Sequence, residues 1–117
     1  MFSAFLAMSF GIATEQHKLR YLFLQDQPPS SLLEVGCGKG RFLHRMHKKG
    51  WSVSGIEIDR QALEYIKKKY QLKKIFQSLK EAHFPNESFD WIVLSHVIEH
   101  LLDPITELKE VFQTSKT

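Results

Sequence analysis

The sequence predicts an α/β fold, a parallel sheet with flanking helices, on three observations. Short apolar runs alternate with segments of helical period, a glycine-rich turn joins the first such pair, and the composition is that of an ordinary globular chain. The alternation decides the class, because parallel strands need a crossover between them and a helix is the usual one. Of 117 residues, 43% are hydrophobic and 25% are charged. That is near the average for folded chains and argues against disorder, collagen-like repeats or a coiled coil. A chain of this length forms one core and buries roughly two thirds of its unfolded surface.

The elements follow in order. The opening run, Met1 to Ala13, has 13 residues, too few for a membrane span of about 20, and lacks the basic start of a secretory signal. It is expected to be a buried or partner-facing helix. Thr14 can cap a further helix with Leu19, Leu22 and Phe23 on one face, so residues 1–30 are expected to form an N-terminal helical segment. Gln27-Pro28-Pro29-Ser30-Ser31 is the clearest break. From residue 31 to 117 strands and helices alternate. Ser31 to Gly36 is a strand stopped by glycine. Arg41 to Lys49 is a helix with Phe42, Leu43 and Met46 on one face and Gly50 at its stop. Trp51 to Ile58 is a second strand. Asp59 caps a helix with Ala62, Leu63, Ile66 and Tyr70 inward, and Glu64 four residues before Lys68 outside. Lys74 to Gln77 is a weaker third strand and Phe89 to Ser95 a strong fourth. Asp103 and Pro104 start a last helix bearing Ile105, Leu108, Val111 and Phe112.

Charge is uneven along the chain. Residues 39–74 carry eleven Lys or Arg against three Asp or Glu, a balance of +8, and residues 75–117 three against seven, or −4, within a total of +3. A basic middle attracts nucleic acid or an anionic substrate. Much of it, however, is Lys48, Lys49, Lys67, Lys68, Lys69, Lys73 and Lys74, at helix ends and outer faces. A solvated face is therefore expected, without a nucleic-acid partner. The lone Cys37 excludes an internal disulfide and a Cys-rich metal framework, so a reducing, cytoplasmic setting is expected.

Glu34-Val35-Gly36-Cys37-Gly38-Lys39-Gly40 sets three glycines between the first strand and its helix. Missing side chains let a ligand touch backbone there, and the N–H groups of the helix start point outward. A nucleotide-like ligand fits such a turn; a tight turn with no ligand is the plainer alternative. The dinucleotide pattern needs glycine where the chain has Arg41, and a phosphate loop needs Gly-Lys-Ser/Thr, which is absent. Glu57, at the end of the second strand and 21 residues after Gly36, can accept both hydroxyl hydrogens of a ribose. Together the two features favour a nucleoside ligand.

LLEVGCGKGRFL at 32–43, GIEIDRQAL at 55–63 and FPNESFDWIVLSHVIEHLLDP at 84–104 resemble the first half of a class I S-adenosylmethionine-dependent methyltransferase. The likeness covers residues 31–112 and is greatest to small-molecule enzymes of the ubiquinone and menaquinone biosynthesis type. It implies a Rossmann-like sheet in the order 3-2-1-4, truncated after the fourth strand, with the cofactor half present and the substrate half absent. It further implies S-adenosyl-L-methionine as cofactor. Gly36, Gly38 and Gly40 would admit its methionine part beside Cys37, whose small side chain suits a turn packed against a cofactor. Glu34 would hold the amino group through water or backbone, Glu57 the ribose and Ile58 the adenine. Ser95 and His96 would line the sulfonium end. The family's aspartate for the adenine amino group has no counterpart in the matching region, around Ser78 and Leu79, which would lie at that end of the cofactor. Methyl transfer from a sulfonium needs mainly an acceptor held in line and dry. For a phenol or acid acceptor, His96 or His100 can take the proton.

Two readings of other classes compete. His96-Val97-Ile98-Glu99-His100 fits the H-x-x-E-H zinc-peptidase pattern, but it follows a strand and has only Glu107 and Glu110 downstream as a third ligand, so no metal is expected. A short module could also bind the nucleoside or a partner without catalysis. If the sheet ends at its fourth strand, FDWIVLS is an apolar exposed edge. The chain is then expected to dimerise or associate through it.

Overall fold

The alternation of apolar runs and helical periods resolves into parallel strands connected by helices. The computed structural model describes residues 5–9 (backbone), 24, 26–95, 106, 109–110 and 113–114. Its elements are β1 (Phe5–Ser9), β2 (Ser31–Val35), α1 (Arg41–Lys48), β3 (Ser52–Ile56), α2 (Arg60–Tyr70), β4 (Ile75–Phe76), α3 (Leu79–Ala82) and β5 (Trp91–Ser95). The strands form one sheet in the order β1-β5-β2-β3-β4, and every pairing is parallel. The four strands expected from the sequence thus stand in the expected 3-2-1-4 order.

The strand interiors explain the pairing. In β2, Leu32, Leu33, Glu34 and Val35 are all buried, as a central parallel strand covered on both faces requires. Alternation sends Leu32 to one core with Phe42, Leu43, Met46, Val53, Leu63, Ile66, Ile75 and Val93. It sends Leu33 and Val35 to another with Ile56, Phe89, Ile92 and Leu94. Both α1, through Phe42, Leu43 and Met46, and α2, through Leu63 and Ile66, cover the first core. Each such side chain contributes about 1.5–3 kcal/mol by leaving water. Ala62 and Tyr70, also expected inward, are half-buried. After β4 the chain crosses to the other face, where Phe76, Leu79, Ala82 and Phe84 pack on the second core. Two edge-to-face contacts, Phe76–Phe84 at 5.7 Å and Phe84–Phe89 at 4.9 Å, extend that cover. The lower ends of β2 and β5 are pinned by a reciprocal pair: Asp90 Oδ2 accepts from Ser31 N and Oγ, and Asp90 N donates to Ser31 Oγ at 2.9 Å.

Two expectations are corrected. Phe5–Ser9 is a strand and not helix, and it runs beside β5 from Phe5↔Trp91 to Ser9↔Ser95. A five-residue apolar run has no period that separates buried strand from buried helix, and an interior strand with unpaired backbone groups is the stronger demand. The fourth strand of the expected set is therefore not an exposed edge, and association through it loses its basis. The helix expected after Thr14 lies outside the described residues, apart from helical, buried Leu24. Of the last helix, Thr106, Lys109, Glu110 and Gln113 are described and helical, while Ile105, Leu108, Val111 and Phe112 lie outside. Its end meets the chain before β5, where Glu87 N donates to Gln113 O at 3.0 Å and Phe89 N to Thr114 O at 2.9 Å.

Candidate functional site

Strand order reverses between β2 and β5, and in open parallel sheets the crevice beyond the carboxyl ends of the strands at such a point is where ligands bind. The glycine turn leaves β2 there. Gly36, Gly38 and Gly40 have φ of 83°, 57° and 82°, the left-handed region that favours glycine. Gly36 N and Cys37 N both donate to Ile56 O, at 2.7 and 3.2 Å, and Gly40 N donates to Cys37 O at 3.0 Å. The turn is thus tied to the end of β3 and closed on itself.

Gly38 and Gly40 serve different purposes. A Cβ on Gly38 would meet nothing within 4 Å, so its bare backbone faces open space. A Cβ on Gly40 would lie 2.8 Å from Ile66 Cγ1. Gly40 is therefore required by the packing of α1 on α2, and of these two it is Gly38 that is open to a ligand. Cys37 also differs from expectation. Its side chain is buried in the first core, with Sγ 2.9 Å from where a Cβ on Gly55 would stand. Only its backbone belongs to the loop. Burial, then the charges of Glu34 and Glu57, push its thiol far above the ordinary range, so Cys37 stays protonated and unreactive.

Glu57 is buried, and both of its oxygens are engaged: Oε1 accepts from Gly38 N at 2.7 Å and Oε2 from Asp59 N at 2.8 Å. The carboxylate thereby fixes the loop to the start of α2, whose cap Asp59 accepts from Gln61 N at 2.9 Å. Each carboxylate oxygen can accept more than one hydrogen bond, so Glu57 keeps acceptor capacity beyond these two bonds. Ile58, the next residue, is 61% exposed. Its carbonyl accepts from Gln77 Nε2 at 3.1 Å, a contact that the sequence reading missed and that no local pattern announces.

Across the reversal point, Glu34 is fully buried and its Oε2 accepts from Ser95 Oγ at 2.7 Å. Two residues expected at the site separately are thereby joined, one from each of the neighbouring strands β2 and β5. Ser78 and Leu79 are placed differently. Ser78 caps α3, its Oγ accepting from Glu81 N at 3.1 Å, and Leu79 packs on the second core. His96 and His100, and with them the H-x-x-E-H run, lie outside the described residues. Among the described residues no group of His, Cys, Asp and Glu could hold a metal ion, and no helix is long and apolar enough to cross a membrane.

Residues 10–117 match the Methyltransferase domain family. The chain belongs to that family. This methyltransferase-domain chain is 30% identical over 80 residues to a probable S-adenosylmethionine-dependent methyltransferase of Mycobacterium tuberculosis, covering 68% of this chain and 29% of that one. It is 26% identical over 90 residues to the ubiquinone biosynthesis O-methyltransferase of Psychrobacter cryohalolentis, covering 70% and 35%. Among solved structures, a putative S-adenosyl-L-methionine-dependent methyltransferase of Methanococcus maripaludis superposes with a TM-score of 0.71 at 14% identity, over 86% of this chain and 51% of that one. An S-adenosylmethionine-dependent methyltransferase of Mesorhizobium loti gives 0.70 at 25% identity, over 88% and 49%. The chain thus spans about a third of the length of these curated relatives and about half of these solved chains. The family and the sheet order expected from the three motifs both hold.

Proposed function

We propose that this chain carries the cofactor-binding half of an S-adenosylmethionine-dependent methyltransferase that acts on a small-molecule acceptor in the cytoplasm. The observation that carries the reading is the junction of Gly38 and Glu57. A backbone with open space at its missing Cβ, in the turn that leaves β2 where strand order reverses, is held by a carboxylate that retains acceptor capacity. These residues fit the nucleoside. Glu57 would accept the ribose hydroxyls, exposed Ile58 would lie against the adenine, and Gly38 with Gly36 would border the methionine part. Glu34 and Ser95 close the crevice between β2 and β5, and the buried pair gives that wall a fixed polar group. His96 and His100, which follow Ser95 in the sequence, are proposed to take a proton from an acidic acceptor. Bound there, S-adenosylmethionine would supply the methyl group together with its sulfonium leaving group. The names of the relatives, including an O-methyltransferase of ubiquinone biosynthesis, support a small-molecule acceptor.

Isothermal calorimetry with S-adenosylmethionine and S-adenosylhomocysteine tests the reading. One-to-one binding of both, lost in Gly38→Val and unaffected by excess ATP or NAD, is the expected result. Absence of binding, or equal competition by ATP, would overturn it.

A further inference from the structure

Both α1 and α2 cover the same face of the sheet, so their outer surfaces adjoin. Three rings meet along the seam. His44 of α1 stacks on Tyr70 of α2, with centroids 4.1 Å apart and planes 17° from parallel, and Tyr65 stands edge-on to Tyr70 at 6.3 Å. Cations surround them. Lys69 Nζ donates to Tyr65 Oη at 2.8 Å, which places it at the hydroxyl edge of that ring, 5.3 Å from the Tyr65 centroid and 5.6 Å from the Tyr70 centroid. Lys39, from the glycine turn, reaches to 5.9 Å over Tyr65. On α1, Arg41 stands three residues before His44 and Lys48 four after it, on the same helical face, so the seam carries cations from both helices.

Carboxylates do little to offset this charge. Of the three between residues 39 and 74, Glu57 is buried and engaged in the loop and Asp59 caps α2. Only Glu64 is left, against Lys or Arg at eleven exposed positions. The sequence could not show this gathering of cations and rings, because Lys39, His44 and Tyr70 are far apart in the chain.

We infer that the α1–α2 seam is a docking surface for single-stranded nucleic acid, its phosphates on Lys39, Arg41, Lys48 and Lys69 and a base stacked on Tyr65. Phosphates explain the cations. The 38% exposed Tyr65 ring distinguishes this partner from an acidic peptide, because every base offers a face to an aromatic side chain whereas a carboxylate does not. Lys39 belongs to the glycine turn proposed to border the cofactor, so the test varies only Tyr65 and Lys69 of α2, and its failure is distinguishable from a failure of cofactor binding.

The test is fluorescence anisotropy of a labelled oligothymidine with the whole chain, at salt between about 50 and 200 mM. Four phosphate contacts on a single strand predict a slope of log K against log salt of about −3, at ~0.7 per contact. Lys69→Gln should lower the slope by about 0.7. Tyr65→Ala should weaken binding about 5- to 150-fold with the slope kept, and Tyr65→Phe should bind like the parent. Both side chains are exposed, so neither variant threatens the fold. The inference is overturned if the oligonucleotide does not bind, if Tyr65→Ala binds as tightly as the parent, or if polyglutamate or anionic phospholipid vesicles bind equally well.

Discussion

Glu57→Gln separates the architecture of the loop from its ligand chemistry. The carboxylate accepts one backbone N–H on each oxygen, from Gly38 at 2.7 Å and Asp59 at 2.8 Å. Glutamine offers one acceptor and one donor, so whichever way the amide turns, one of those N–H groups faces an NH2. The other bond survives without its charge. Losing a charge-assisted bond to a buried group costs about 1.5–3 kcal/mol, and for a chain of this size each kcal/mol lowers Tm by about 3–6 °C. The ligand-free variant should therefore melt about 5–15 °C below the parent, and the Gly38 amide should exchange with solvent faster. Melting followed by circular dichroism, with hydrogen exchange read by NMR, measures both. Cofactor affinity, read separately, should fall about 10- to 150-fold in Glu57→Ala and less in Glu57→Gln. A Glu57→Gln chain with parental Tm and unchanged Gly38 exchange would show that the carboxylate does not hold the loop.

Gly38→Val should abolish S-adenosylmethionine binding while keeping helix and strand content, since the added branches enter the open space at the loop; its φ of 57° adds a stability cost of about 1–2 kcal/mol. Gly55→Ala should destabilise by about 1–3 kcal/mol through overpacking, because its Cβ would stand 2.7 Å from Leu43 Cδ1 and 2.9 Å from Cys37 Sγ; urea midpoints should show the loss, and Leu43→Val in the same chain should restore part of it. His44 has its pKa lowered by burial and then by Lys48, His47 and Lys69. The unfolded chain therefore binds the extra proton first, and stability should fall as pH drops through about 6.5. His44→Phe should remove that part of the slope in urea midpoints taken across the window, and an unchanged slope would mean that His44 titrates as in the unfolded chain.

What could be read from the sequence follows the range over which each signal acts. β2, α1, β3 and α2 were legible because glycine stops, the Asp59 cap and the spacing of Phe42, Leu43 and Met46 or of Leu63 and Ile66 are local. β1 was not, because five apolar residues have no distinguishing period and its partner β5 lies at the other end of the chain. α3 is four residues long, and the only local signal was Ser78 three residues before Glu81, a capping pattern that the sequence reading passed over. At the site, Glu57 and Gly38 were legible as residue types at strand ends. That Glu57 spends one acceptor of each oxygen on backbone was not, since the chain writes no code for a turn folding back on a side chain. The inward course of Cys37 was hidden for a similar reason: it depends on the bare Cα of Gly55 in the next strand.

The loop's own hydrogen bonds bear on what it can hold. A phosphate-binding turn presents several outward N–H groups to an anion. Here Gly36 N and Cys37 N are taken by Ile56 O, Gly38 N by Glu57 and Gly40 N by Cys37 O. Gly38 N is thus directed at the Glu57 carboxylate and the other three at backbone carbonyls. A phosphate brought to these backbone amides would find them engaged and the Glu57 charge close by, whereas hydroxyls and a cationic centre would meet acceptors; the Lys39 side chain, outside this set, is left to other anions. The turn lacks both phosphate patterns, with Arg41 in place of glycine and no Gly-Lys-Ser/Thr run, and with these four amides already bonded the Glu57 carboxylate gives this part of the loop the chemistry of an acceptor.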